Sequence, residues 1–123
     1  MTNVSHKGEE CLSIAPELAE RLAAAREHLR DAVPGLQERP EPGRQPRFAY
    51  TTGSCATLFR LVVDPPNLFL HFADGAVLSD PAGLLRGAGR RGRYVCLRNH
   101  AIGTDAGIRA LIDQAMVMAR TAG

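Results

Sequence analysis

The chain contains no tryptophan, two tyrosines and four phenylalanines. Base-stacking surfaces are built from such rings, so nucleic acid is not an expected partner. Cysteine is scarce: Cys11, Cys55 and Cys96 are an odd number at wide spacing. They fit neither a disulfide framework nor a zinc site, and reduced thiols in a cytoplasmic protein are their natural reading. No apolar run approaches the length of a bilayer span, so no membrane is expected. Met1 to Glu10 are polar, without the apolar core of a signal peptide. Paired carboxylates, a histidine cluster and a Gly-x-Ser-x-Gly elbow are all missing, and hydrolase and metalloenzyme chemistry lose their support with them. Neither catalytic residues nor a metal nor a cofactor is expected. Lysine is nearly absent as well, because fourteen of the fifteen basic residues are arginine and Lys7 is the exception. Arginine grips phosphate and carboxylate through two parallel hydrogen bonds. A GC-rich coding sequence gives the same bias with no ligand involved, and is the plainer explanation.

What is present suffices for one core. The 123 residues carry 45% hydrophobic and 23% charged side chains with a net charge of +2, the balance of a single folded domain. Residues 1–13 read as a flexible N-terminal arm and 14–121 as the domain. Leu18, Leu22, Ala25, Leu29 and Val33 recur at helical steps, with Ser13 as cap, Pro16 in the first turn and Pro34-Gly35 as the stop. Glu17, Glu20, Arg21, Arg26, Glu27, Arg30 and Asp31 fall on the outer face, where mixed signs predict ion pairs within the helix. The proline- and glycine-rich stretch 34–46 reads as a surface connection.

From Phe48 the period changes to two. The pattern predicts strands over 48–52, 55–63, 68–72 and 93–98, with a short piece at Val77-Leu78. Ser79 to Gly87 spells a one- or two-turn helix. A last helix starts near Thr104-Asp105, its stripe formed by Ile108, Leu111, Ile112, Ala115 and Met118 or Ala119. Strands joined by such short turns are antiparallel. The expected fold is therefore α+β, an antiparallel sheet with two helices on one face.

Strand parity separates two faces. Phe59, Leu61, Val63, Leu68, Leu70, Phe72, Val95 and Leu97 form a wholly apolar set for the helices. Leu58, Arg60, Val62, Phe69, His71, Tyr94, Cys96 and Arg98 form a mixed set for the open face. Cations beside rings suit a small anionic ligand, and the same residue types suit a homodimer interface. An ordinary solvated face is the plain alternative. Arg90 and Arg91 sit in the segment Gly87-Ala88-Gly89-Arg90-Arg91-Gly92-Arg93, where backbone N–H groups and guanidinium groups can cradle phosphate. The candidate ligand-binding residues are thus Arg60, Phe69, His71, Tyr94, Arg98, Arg90 and Arg91. His71 and His100 have no acidic partner at local spacing. Cys96 qualifies as a nucleophile only if His71 lies across the sheet from it.

One stretch carries a family likeness. Phe72-Ala73-Asp74-Gly75, Leu78-Ser79-Asp80-Pro81, Leu84-Leu85 and Gly87-Ala88-Gly89-Arg90 follow in order, then Arg93-Tyr94-Val95 and an apolar terminal helix. Over about residues 45–120 the chain resembles the YdhG-like family. That resemblance implies a frataxin-like sandwich, and one branch of the family is linked to intracellular iron delivery. Many members carry a Tyr-Gly-Met-Pro-like element where this chain has Tyr50-Thr51-Thr52-Gly53. The resemblance also implies an acidic ridge on the first helix for iron. Here Glu17, Glu20, Glu27 and Asp31 are interleaved with Arg21, Arg26 and Arg30. The sequence thus reads as a non-enzymatic ligand- or partner-binding module, with a frataxin-like iron chaperone as the alternative and an enzyme using His71 and Cys96 last.

Overall fold

The computed structural model describes residues 14–53, 56–98 and 100–122. The expected N-terminal arm, the Ser13 cap and Cys55 lie outside them. Helix α1 (Pro16–Ala32) leads into strands β1 (Gln37–Pro40), β2 (Arg47–Thr51), β3 (Phe59–Asp64), β4 (Asn67–Phe72) and β5 (Arg93–Cys96), and helix α2 (Ala106–Ala122) follows. The strands form one antiparallel sheet in chain order. The tightest connection of this meander is Pro65-Pro66 between β3 and β4, whereas residues 73–92 separate β4 from β5. Proline has no N–H to donate, and the β3–β4 ladder runs up to this turn, where Asp64 stands opposite Asn67.

The parity expectation holds. Phe59, Leu61, Val63, Leu68, Leu70, Phe72, Val95 and Leu97 are all buried, in one cluster with Leu18, Leu22, Ala25 and Leu29 of α1 and Ile108, Leu111 and Ile112 of α2. Both helices therefore cover the same face. Leu58 departs from the expected face: it precedes β3 and packs against this core. Among the described residues no helix is long and apolar enough to cross a membrane.

Several local expectations need correction. The stretch 34–46 is not all connection, because it contains β1, whose Glu38 and Arg39 lie opposite Tyr50 and Ala49 of β2. Its Pro40 is tolerated because an edge strand has an unpaired side. The strand expected over 55–63 begins only at Phe59, and the one expected over 93–98 ends at Cys96. Val77-Leu78 is not a strand, since Gly75–Val77 form one 3-10 turn. No helix forms over 79–87. The Asp80 carboxylate instead accepts the Leu84 and Leu85 N–H groups at 2.9 and 2.8 Å, and Gly83 takes a φ of 69° that ends any helical path. Arg86 then bridges to Tyr94 as a single ladder rung.

The ion pairs of α1 also differ from expectation. Arg26 and Arg30 reach across to Glu38 on β1, at 2.7 and 3.2 Å, instead of pairing along the helix. Tyr50 donates its hydroxyl hydrogen to the same carboxylate at 2.6 Å, and the Arg26 guanidinium lies 4.2 Å from the Phe48 ring centre.

Candidate anion-binding site

The face left uncovered by the helices carries a row with one residue from each strand. Arg39, Ala49, Arg60, His71 and Tyr94 stand opposite one another in register from β1 to β5. The next row is Arg47, Val62, Phe69 and Cys96. Strand alternation puts both rows on this side. Phe69 and Tyr94 meet edge to face, their centroids 5.0 Å apart, a favoured aromatic geometry.

A glycine-rich turn closes one side of this face. Residues 87–92 leave the Arg86 rung and return to β5, and all of them but Arg90 border, with Arg60, His71 and Tyr94, a shallow basin of about 680 Å³. Two of the glycines are required, one by contact and one by its backbone angle. A Cβ on Gly92 would sit 2.7 Å from Nε2 of His71, and Gly87 holds a φ of 113° beside the Tyr94 ring. Arg93 fixes the turn from behind, donating from Nη1 to the carbonyls of Gly89 and Gly92.

The charges here are partly spent. Arg60 binds Glu41 through Nε and Nη2 at 2.9 and 3.3 Å, and Arg47 donates to the same carboxylate at 3.1 Å. The Arg60 hydrogen bonds are the main reason that the Glu41 carboxyl titrates below its usual range. Two cations thus share one anion, and Arg39 adds charge to the same row. Arg91 pairs with Asp74 at 2.7 Å in the open, where an ion pair is weak and easily exchanged. Burial, followed by the charges of Arg60 and Arg47, holds His71 below the usual imidazole range. The ring is therefore neutral at pH 7. Its Nδ1 is buried and has no hydrogen-bond partner among the described residues.

Of the expected ligand residues, Arg60, His71, Arg91 and Tyr94 come together in the basin. Phe69 lies one row away and touches Tyr94, and Arg90 is exposed on the turn. Arg98 is not on this face. It follows the end of β5 in a turn and borders a separate pocket beside α1. Cys96 does not oppose His71: the register sets Cys96 against Phe69 and His71 against Tyr94, and the thiol lies 3.8 Å from Oδ1 of Asn67. That removes the premise for a Cys96–His71 nucleophile pair. Glu41 and Asp74, which hold the two basin arginines, were missed as members of the site. Among the described residues no three His, Cys, Asp or Glu side chains converge in a way that could hold a metal ion. No family model, curated protein or solved structure matches the chain.

Proposed function

We propose that the chain is a non-enzymatic binding module of the YdhG-like type, a frataxin-like sandwich whose open sheet face takes a small anionic ligand. The observation that carries this reading is the basin itself, where Arg60, Arg91, a neutral His71 and the Tyr94 ring meet beneath a turn of glycines. A phosphate ester suits it. Its charge exchanges with Asp74 on Arg91, backbone N–H groups of the turn add donors, and an attached ring packs on Tyr94 and Phe69.

Phenyl phosphate is the probe, followed by calorimetry at several salt concentrations. Affinity should fall as salt rises, because an arginine–phosphate contact is charge-assisted and screened. The paired change Arg90→Ala and Arg91→Ala should weaken binding about ten-fold, the size of one charged hydrogen bond, with an unchanged circular dichroism spectrum. Equal binding by the double variant at every salt concentration would leave the turn a structural role only.

The Phe69–Tyr94 pair on an uncovered face favours a second reading, a homodimer. A two-fold contact there would set Arg39, Arg47 and Arg60 against a second set of the same arginines, and this weighs toward the anion. Sedimentation decides. If the dimer forms, Phe69→Glu should convert it to a folded monomer; a wild type that stays monomeric at high concentration removes the dimer.

A further inference from the structure

A second pocket lies on the helix side of the sheet, away from the basin. It occupies about 390 Å³ between α1 and the residues 97–98 and 100–104 that follow β5. Its floor is apolar, with Leu68, Leu97 and Ile102 all buried in the core. The ionisable residues that border it are all basic or imidazole: Arg21 and His28 from α1, Arg98 and His100 from the connection.

Two features show that the rim is shaped. The His28 ring lies so close to Gly103 that a Cβ there would stand 3.0 Å from it, so the connection closes tightly on α1. Its turn is fixed by the Thr104 and Asp105 N–H groups, both donating to the Ala101 carbonyl at 3.2 and 2.9 Å. His100 does have an acidic partner, contrary to the reading of its neighbours in sequence. Nδ1 lies 2.6 Å from Oδ2 of Asp105, while Oδ1 of the same carboxylate accepts the Ile108 N–H at 3.1 Å and caps α2. The ring is oriented by a group that is itself fixed by a helix end, and Nε2 is the nitrogen left for another partner.

The arginines here differ from those of the basin. Arg60 and Arg91 are each held by a carboxylate. Arg21 and Arg98 make no hydrogen bond or ion pair among the described residues, yet both border the same apolar hollow. Asp105, the acid that holds His100, has both oxygens engaged. A guanidinium matches a carboxylate in plane and in donor spacing, and pockets of this size suit a small molecule with an apolar body.

We propose that this pocket is a binding site for a small organic monocarboxylate, its carboxylate held between Arg21 and Arg98 beside His100 and its apolar body resting on Leu97 and Ile102. It does not depend on the reading of the open face. The test is titration of the full chain with benzoate, read by the backbone amide signals of the protein. Benzoate should shift Ala25, Arg98, Ala101 and Ile102 and leave His71 and Gly92 unmoved. Arg21→Gln with Arg98→Gln should retain the native spectrum, because neither side chain has a partner to lose among the described residues, and should weaken benzoate about ten-fold or more. Benzamide, which has the same shape without the charge, should bind the wild type more weakly by a similar factor. Equal binding of benzoate and benzamide, or full affinity in the double variant, would overturn the proposal. So would benzoate shifts confined to His71 and Gly92, and that outcome would speak for the basin instead.

Discussion

Replacing Leu70 by alanine is expected to cost roughly 2–5 kcal/mol, the range for truncating a large aliphatic side chain in a packed core. Leu70 is fully buried. It stands in β4 between Leu61 of β3 and Val95 of β5, and these neighbours lie in the one cluster that both helices close. The hollow left by the truncation has packed atoms on every side and little room to collapse. Domains of this kind have about 5–15 kcal/mol of total stability, so the variant loses a substantial share of it. Urea unfolding gives the number. Val77→Ala is the control, because Val77 is 66% exposed and surface changes of this sort stay within about 0.5 kcal/mol. Equal midpoints for the two variants would mean that Leu70 is not at the centre of the core. The same difference tests the assignment of faces, since the neighbouring His71 belongs to the other side.

That assignment was readable because β3 and β4 alternate without a break. In Phe59-Arg60-Leu61-Val62-Val63 and Leu68-Phe69-Leu70-His71-Phe72, one parity is wholly apolar, and only one face can meet the helices. β1 sends no such signal. Gln37-Glu38-Arg39-Pro40 has no apolar side chain but that of Pro40, and it is a strand because β2 offers it a free edge and Glu38 finds Tyr50, Arg26 and Arg30. At Asp80-Pro81 the local chemistry of a helix start is real, but the carboxylate is satisfied by turn N–H groups and no helix follows.

The site divides in the same way. Arg60, His71 and Tyr94 share one row because period-two alternation holds inside strands. Arg98 was misplaced by extending that alternation two residues past the end of β5. Glu41 could not be matched to Arg60 from the sequence, for the two are nineteen residues apart and meet only when β2 aligns the connection with β3. His100 and Asp105 are five apart, a spacing that neither helix nor strand brings together; the turn at Ala101 does so.

Glu38→Ala should give the second large loss, and the loss should depend on pH. The carboxylate is 13% exposed and accepts from Arg26, Arg30 and the Tyr50 hydroxyl. Tyr50 is fully buried, so truncation leaves its hydroxyl without a partner, at about 1–3 kcal/mol. The arginines add little, because Arg26 and Arg30 are 35% and 45% exposed and solvent screens them. Glu38→Gln keeps an acceptor for the hydroxyl and should cost less. Tyr50→Phe in the Glu38→Ala background removes the orphaned group, so the double variant should lose less than the sum of the single losses. The sign of the pH effect follows from the direction of the shifts. Hydrogen bonding, from Arg26 above all, holds the folded Glu38 carboxyl below its ordinary value of 4.5. Its contribution is complete above that value and is lost as pH falls through the lower folded one. Glu41 and Asp105 are lowered too and steepen the acid limb. Burial, followed by the Glu38 hydrogen bond, raises the Tyr50 phenol above 10.0, so folding loses a further contribution as pH rises past that value. Wild type should therefore be most stable between the two limits, and Glu38→Ala should show a shallower acid limb. Chemical unfolding measured from about pH 3 to pH 7 checks this. Parallel stability curves for wild type and Glu38→Ala across that range would show that the carboxylate is not held by Arg26 and Tyr50 in solution.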